Sequence, residues 1–262
     1  MSQVIFSIPF TGKTPWGDGF KSQFWFDYRA TIFEKYTLKS LKNQKDKDFL
    51  VWLQFRPQEK DNPTTEKIRK ALTGAKLNFV MTFDGVIMYE DRAIWHNIDL
   101  KERADRSLKV LEPLVKEDWI YEVNLDSDDM VCEDFVKWLK NSTTQAFYMR
   151  KGYMLTLEGR LAEWNNPRSM SLYAIGYPKD IFLDGRKHFE YQTGHARESV
   201  VLSGLSSHEQ IPELFKAEEL PDGSYCCVFH EANITTVWSH PFRGEEIFSD
   251  SKKKNIINKF IK

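Results

Sequence analysis

Short apolar runs alternate with amphipathic stretches along the first 140 residues. Four runs are rich in β-branched and aromatic residues and are bounded by charged or turn-forming residues, which predicts buried strands. They read "QVIFSIPF", "DFLVWLQF", "KLNFVMTF" and "DWIYEVNL". An amphipathic stretch follows each strand, so the order strand–helix repeats four times. This alternation predicts a mostly parallel sheet with helices on its faces.

The helices are predicted from apolar residues that recur at helical spacing. The segments are "RATIFEKYTLKSLKNQ", "TTEKIRKAL", "DLKERADRSLKVLEPLV" and "CEDFVKWLKN". In the second, Thr64 or Thr65 stands ahead of Glu66 and Lys67, a pattern typical of a capping box at a helix start.

The pattern changes after residue 140. The segments "AFYMRKGYMLTLEGRLAEW", "SMSLYAIGYP" and "SYCCVFHEANITTVW" are strand-like and aromatic, with helical material such as "SHEQIPELF" between them. We therefore predict an α/β fold in which residues 1–140 form a βα-repeating half. Residues 141–262 form a mixed or antiparallel region of the same domain that ends in a basic tail.

Composition narrows the function classes. The 262 residues are 41% hydrophobic, enough for a large core, and the formal net charge of −1 gives no global field toward nucleic acid or acidic membranes. The N-terminus lacks a secretory signal pattern, and no apolar run reaches the roughly 20 residues of a membrane span. The three cysteines, Cys132, Cys226 and Cys227, form neither a disulfide framework nor a C-x-x-C pair. We expect a cytoplasmic protein.

The most unusual stretch is "VNLDSDDMV", where Asp126, Asp128 and Asp129 follow the fourth predicted strand. Asp128 or Asp129 could simply cap the next helix, since Asp at a helix start is favourable. Three carboxylates at a partly buried strand end repel one another, however, and need a counter-charge such as Mg²⁺ or Mn²⁺. In an extended segment Asp126 and Asp128 would face one ion while Asp129 turns away.

This stretch resembles the D-x-D region of GT-A glycosyltransferases, in the "L-D-x-D-D" form of family-2-like enzymes. The opening is similar too, because "FDYRATIFEKYTLKSLKNQKDKDFLVWLQF" contains a first helix that ends in "SL-x-x-Q" and leads through "D-F" into the second strand. The spacing of Arg29, Phe33, "TLKSL", "NQ" and "DF" is similar to the rhamnosyltransferase group of bacteria. The resemblance covers roughly residues 4–140.

The resemblance implies a GT-A-type, Rossmann-like sheet and a nucleotide-diphosphate-sugar donor across the carboxyl ends of its strands. Asp126 and Asp128 would hold the ribose and the metal-bridged diphosphate, with Asp129 supporting the cation or donor sugar. Family members often take a further metal ligand from a downstream histidine. His230 is the preferred candidate here and His240 the reserve; a packed histidine at a strand end is the alternative for both.

Other donor contacts are less clear. The usual Asp after the second strand is missing from "LQFRPQEKDNP", so Gln54 or Arg56, or Asp84 after the third strand, would have to read the base. Arg29 is a further expected donor contact. Arg103 and Arg106 lie where the family often presents a basic residue to the nucleotide, although an arginine on the solvent face of an amphipathic helix is the more common case.

Inverting transfer also needs a group that accepts the proton of the acceptor hydroxyl. "EYQTGHARES" supplies His195 and Glu198 at i and i+3, and Glu190 and Asp184 are reserves. A second aromatic segment could stack a sugar or pack in the core; its candidate residues are Trp164, Arg168, Tyr173 and Tyr177.

The sequence therefore predicts a metal-dependent glycosyltransferase that uses a nucleotide-diphosphate-sugar donor and Mn²⁺ or Mg²⁺. The acceptor stays open among glycan, lipid-linked sugar, protein and modified nucleobase. One alternative is a nucleotidyltransferase, although "FTGKTPWGDGF" lacks the glycine-rich signature of that class. Another is a non-catalytic metal- or nucleotide-binding module; "DSDDMVCEDFVK" lacks the Gly and Glu of an EF-hand loop.

Overall fold

The computed structural model describes residues 2–11, 22–84, 98–166, 171–192, 211–230, 242 and 244–262. The predicted strands form at the apolar runs, because these runs can be buried on both faces of a sheet. Within the described residues the strands are β1 (Ser2–Pro9), β2 (Phe49–Gln54), β3 (Phe79–Thr82), β4 (Trp119–Asn124), β5 (Met130–Val131), β6 (Ala146–Tyr148), β7 (Lys151–Thr156), β8 (Leu161–Asn165), β9 (Tyr173–Pro178), β10 (Ala217–Glu219), β11 (Tyr225–Phe229) and β12 (Glu245–Glu246).

The helices up to residue 140 and the one in "SHEQIPELF" lie where the sequence predicts them, and further helices form within residues 141–262. Across the described part of the chain the helices are α1 (Gln23–Ile32), α2 (Leu38–Lys42), α3 (Pro63–Gly74), α4 (Ile98–Leu111), α5 (Phe135–Lys140), α6 (Lys179–Phe182), α7 (Gly185–Gln192), α8 (Ile211–Leu214) and α9 (Asp250–Ile257). A wider π-helical turn, Phe33–Thr37, joins α1 to α2. Shorter 3₁₀ turns lie at Pro57–Glu59 and Glu112–Leu114.

Two predicted helix starts are wrong in detail. The cap of α3 is Asn62, whose side-chain oxygen accepts from the Thr64 N–H at 2.8 Å, rather than Thr64 or Thr65. Asn satisfies the exposed N–H there while Pro63 occupies the first helical position. The helix after the acidic residues begins only at Phe135, behind β5, so neither Asp128 nor Asp129 caps it.

A seven-stranded sheet forms the centre of the fold, with strand order β10-β6-β9-β4-β1-β2-β3. The pairs β1–β2, β1–β4 and β2–β3 are parallel, whereas β9 runs antiparallel to both β4 and β6. This confirms the predicted α/β class with a mostly parallel core. Three of the strands after residue 140 extend this sheet.

A second sheet of five strands, β12-β8-β7-β11-β5, lies after the acidic residues in the chain. Its edge strand β5 begins directly behind Asp129, and β11 pairs with it through Tyr225 opposite Val131. This pairing brings β11, about a hundred residues later in the chain, beside the end of β4.

Alternation along the central strands creates two cores, one on each face of the sheet. Val4, Phe6 and Ile8 point into the larger core, and Ile5 points into the smaller one. Because these runs are buried on both faces, the strands are rigid. They therefore hold the start of each carboxyl-end loop in a fixed position.

No helix within the described ranges combines the length and the apolar character required to cross a bilayer.

Candidate functional site

The residues Asp126–Asp129 form a tight turn at the carboxyl end of β4. The Asp129 N–H donates to the Asp126 carbonyl at 3.1 Å, and the Leu125 N–H donates to the Ser7 carbonyl of β1 at 3.2 Å. The expectation of an extended segment is therefore wrong, because the chain reverses here to start β5. We call these four residues the acidic turn.

Asp128 is buried in a bidentate ion pair with Arg29. Arg29 Nη2 donates to Asp128 Oδ1 at 2.6 Å and Nη1 donates to Oδ2, while Arg29 Nε donates to Ser127 Oγ at 2.8 Å. The side chains of Arg29 and Asp128 are only 9% and 3% exposed. Arg29 in α1 thus supplies part of the positive charge that we expected from a metal cation alone.

His230 contacts the same carboxylate. Its Nε2 is 3.0 Å from Asp128 Oδ2, and its ring packs edge-on against Tyr28 with centroids 5.7 Å apart. Burial alone would raise the pKa of Asp128, but the Arg29 charge and the His230 hydrogen bond outweigh it and hold that pKa below its usual value.

Asp129 is held by strand β11. Its Oδ1 accepts from the Val228 N–H at 3.0 Å and its Oδ2 accepts from the Tyr225 hydroxyl. Burial, followed by the charges of Asp128 and Asp126, raises the pKa of Asp129 well above its usual value. These contacts give Asp129 a supporting position behind the turn.

Asp126 is the partly exposed carboxylate of the acidic turn. Burial and the neighbouring Asp128 charge raise its pKa to about 6, against the opposing effects of Arg29 and a hydrogen bond with Ser171. Ser171 Oγ is also 2.7 Å from the Tyr225 hydroxyl. Ser171 and Tyr225 therefore link the carboxylates of Asp126 and Asp129.

The chemistry of this donor set fits a hard divalent cation. Asp128 Oδ2 and His230 Nε2 lie 3.0 Å apart, close enough to bind the same ion. Among the described residues, however, no group of three or more His, Cys, Asp or Glu side chains is already arranged as a metal site. A cation would have to replace the Asp128–His230 hydrogen bond.

The second predicted donor region, after β3, is built differently. Arg106 Nε donates to Asp84 Oδ1 at 3.0 Å and Ser107 Oγ donates to Oδ2 at 3.2 Å. Asp84 and Arg106, both predicted as nucleotide contacts, thus bind each other, and the Arg106 side chain is 52% exposed. Arg103 is partly exposed on the same helix.

The two candidates after β2 also differ from each other. Gln54 Nε2 donates to Ser7 Oγ at 2.7 Å, and its Oε1 is buried without a hydrogen-bond partner in the part of the chain that the structure describes. Arg56 forms an ion pair with Glu59 instead. Gln54 is therefore the better placed of the two to accept a hydrogen bond from a ligand.

The predicted catalytic residues His195 and Glu198 lie outside the described residues, as do His240 and Arg168. The reserve Asp184 is a helix cap, because its Oδ1 accepts from the N–H groups of Arg186 and Lys187 at 3.1 and 3.0 Å. The reserve Glu190 lies in α7. Tyr173 and Tyr177 are buried in the smaller core, which confirms core packing for these two aromatics.

Sequence reasoning missed three contributors, namely Ser127, Ser171 and Tyr225. Ser and Tyr carry no charge, and the contacts that matter join residues 54 to 98 positions apart. It also missed the buried pair of His188 Nε2 and Glu122 Oε2 at 2.8 Å, which ties α7 to the middle of β4. An acidic residue inside an apolar strand was the available signal.

Comparison with known proteins gives one family match. The model of the family described as "Putative rhamnosyl transferase" matches residues 21–153, just over half of the 262-residue chain. The matched region contains Arg29, Asp84, Arg106 and the acidic turn, and it ends before Tyr225 and His230. A search of the curated proteins finds no match.

Solved structures show weaker likenesses. The crystal structure of S. aureus TarS 1-349 is 12% identical, with a TM-score of 0.43, over 98% of this chain and 70% of that one. A TarS 1-349 structure in complex with UDP is 11% identical over the same shares, with a TM-score of 0.43. A "putative nucleotide-diphospho-sugar transferase" from Desulfovibrio desulfuricans G20 is 14% identical over 87% and 81%, with a TM-score of 0.38.

TM-scores below 0.5 leave these three likenesses too weak to carry an argument about this chain. The family match stands on its own, because it spans more than half of the sequence and includes the acidic turn and its partner Arg29. The chain belongs to the "Putative rhamnosyl transferase" family and is a glycosyltransferase.

Proposed function

We propose that the enzyme transfers a sugar from a nucleotide-diphosphate-sugar donor and that a divalent cation, Mn²⁺ or Mg²⁺, assists at the acidic turn. The observation that supports this most is the position of His230, whose Nε2 lies 3.0 Å from Asp128 Oδ2 although the two residues are 102 positions apart. A buried carboxylate and imidazole at the carboxyl edge of a parallel sheet suit a ligand that carries a diphosphate.

The residues of the acidic turn have different roles in this proposal. Asp126, which is partly exposed, faces the donor's ribose, and Asp128 with His230 holds the cation. Arg29 keeps the Asp128 carboxylate in place through its bidentate contact and is a positioning residue rather than a direct donor contact. Asp129 is anchored to β11 and supports the turn from behind.

A cation bound there would neutralise the charge that develops on the departing diphosphate. The protein itself contributes a rigid, preorganised site, because each carboxylate of the acidic turn already has a hydrogen-bond partner in the protein before the donor binds. This arrangement avoids reorganisation of charges during transfer.

Gln54 is the proposed contact for the nucleotide base. Its buried Oε1 can accept from a ring N–H, and leaving a buried acceptor unpaired costs about 1–3 kcal/mol. His195 and Glu198 stay the predicted proton acceptors from the acceptor hydroxyl, and Asp84 and Arg106 stay secondary donor candidates.

The test is a thermal-shift experiment with UDP-, GDP- and dTDP-sugars, each with and without Mn²⁺. We expect one donor class to raise Tm only when Mn²⁺ is present, and Asp126→Asn to reduce this joint shift, because a neutral amide binds ribose hydroxyls more weakly than a carboxylate does. Asp222→Asn is the matched control, because Asp222 lies on the surface in an ion pair with Lys151.

A Tm shift with Mn²⁺ but with none of the donors would favour the non-catalytic binding module. Stabilisation by free nucleoside triphosphates above all diphosphate sugars would favour the nucleotidyltransferase. A joint shift that survives Asp126→Asn unchanged would refute the assignment of the site.

A further inference from the structure

Three adjacent strips of side chains run along α1, from its exposed side to the side that contacts the acidic turn. Successive residues turn by about 100° around a helix, so residues four apart lie in the same strip. Gln23 and Asp27 form a polar strip, and Phe24 and Tyr28 form the strip beside it, which we call the aromatic strip. The third strip, Trp25 and Arg29, faces the acidic turn.

The aromatic strip is ordered and open at its outer end. The Phe24 and Tyr28 rings lie nearly parallel, at 16°, with centroids 6.3 Å apart. Phe24 is 78% exposed although it is a large apolar side chain. Tyr28 is half-buried beneath Phe24, so the two rings form one aromatic surface that is open to solvent next to the acidic turn.

The inner end of the strip reaches the acidic turn. Tyr28 packs against the His230 ring, and His230 bonds Asp128. In the neighbouring strip, the Arg29 guanidinium lies 5.8 Å from the centre of the Trp25 ring. A ligand on Phe24 and Tyr28 would therefore extend from the surface toward the carboxylates.

The polar strip supplies hydrogen-bonding groups along the edge of the aromatic strip. Gln23 Nε2 donates to Asp27 Oδ1 at 2.7 Å, and Asn62 Nδ2 donates to Gln23 Oε1 at 2.7 Å. Amide and carboxylate side chains can exchange these solvent-exposed bonds for bonds to ligand hydroxyls at little net cost.

We propose that the aromatic strip is a subsite for a sugar ring of the acceptor, so that the acceptor of this enzyme is a carbohydrate. The inference rests on the proposed function, which places the donor at the acidic turn. A pyranose has an apolar C–H face and a rim of hydroxyls, which match the aromatic strip and the polar strip beside it. Phe24 lies on the far side of Tyr28 from His230, so the sugar there belongs to the acceptor rather than the donor.

Saturation-transfer NMR tests this subsite without knowledge of the full acceptor. The probes are methyl β-D-glucopyranoside, methyl β-D-galactopyranoside and methyl α-L-rhamnopyranoside at millimolar concentration. The proteins are the wild type, Phe24→Ala, Phe24→Trp and Phe248→Ala. Phe248 is the matched control because it is 80% exposed but lies between β12 and α9.

We expect at least one glycoside to receive saturation mainly on its C–H face. Phe24→Ala should weaken its binding about threefold to tenfold, Phe24→Trp should retain it, and Phe248→Ala should leave it unchanged. No signal with any of the three glycosides, an equal loss in Phe248→Ala, or no loss in Phe24→Ala would overturn the proposal.

The nucleotide-sugar thermal shift of the wild-type enzyme is measured in parallel. A positive glycoside result with no donor shift would refute the donor site and leave a carbohydrate-binding surface. A donor shift without glycoside contact at Phe24 would refute the acceptor subsite alone.

Discussion

The acidic turn and the Asp84–Arg106 pair each place a carboxylate against an arginine behind a strand of the central sheet, but they differ in burial. Arg29 and Asp128 are enclosed, at 9% and 3% exposure, whereas Arg106 is 52% exposed. Exposed ion pairs contribute about 0–1 kcal/mol, while removal of one partner from a buried pair costs about 3–5 kcal/mol. The comparison shows that an ion pair at the site contributes strongly to the stability of the fold only when it is buried.

The largest effect is expected from Arg29→Ala, which leaves Asp128 buried without its guanidinium partner. The free energy of unfolding should fall by about 3–5 kcal/mol. Urea denaturation followed by circular dichroism measures it. The same reasoning implies that Asp128→Asn also destabilises the fold, so it is a poor variant for testing donor binding.

The double variant Arg29→Met/Asp128→Asn controls for the charge. It should recover part of the lost stability, because no unpaired charge stays buried. If Arg29→Ala costs no more than Arg106→Ala, the distinction between the two pairs fails.

A second effect concerns pH. The pKa of Asp126 is raised to about 6 in the folded protein, so between about pH 4 and 6 the folded state binds more protons at this group than the unfolded state does. The contribution of Asp126 to the free energy of unfolding should therefore fall as pH rises through this window, by up to about 3 kcal/mol.

Urea titrations at several pH values, with EDTA present, compare the wild type with Asp126→Asn. The lowered pKa of Asp128 acts in the opposite direction in both proteins, and the difference between their curves reports the loss of Asp126 together with its effect on the neighbouring carboxylates Asp128 and Asp129. Parallel curves for the two proteins would contradict the predicted shift.

Tyr225→Phe should have an intermediate effect, because it removes the hydroxyl that donates to buried Asp129. We expect a loss of about 1–3 kcal/mol. A double-mutant cycle with Asp129→Asn measures the coupling between the two side chains. If the two losses in the free energy of unfolding simply add, the Tyr225–Asp129 hydrogen bond does not stabilise the acidic turn.

Arg106→Ala should have the smallest effect, at most about 1 kcal/mol, and its difference from the wild type should shrink further in high salt. Denaturation at low and high ionic strength tests both points. A larger, salt-insensitive loss would place this pair in the same class as Arg29 and Asp128.

Much of this architecture follows from local patterns. The strands β1 to β4 and the helices between them lie where the apolar runs and helical periodicity predict them, since burial on a sheet or helix face depends on spacing within a short segment. The cap of α3 at Asn62 was less predictable, because neighbouring polar residues compete for the same position.

The site was predictable only in part. Asp126, Asp128 and Asp129 are conspicuous in the sequence because three carboxylates lie within four residues. The structure places His230, which the sequence predicts as a metal ligand, 3.0 Å from Asp128. The bond of Tyr225 to Asp129 was not predictable, because it depends on how β11 pairs with β5.

The sequence by itself determined the alternation of strands and helices, the family and the location of the acidic turn, because each is encoded in short-range spacing. Only the tertiary structure decided which partner compensates each carboxylate. Arg29 reaches Asp128 across 99 positions, and strand β11 reaches Asp129 across about as many. Such contacts form when distant elements pack together, and burial then makes their charges interact strongly.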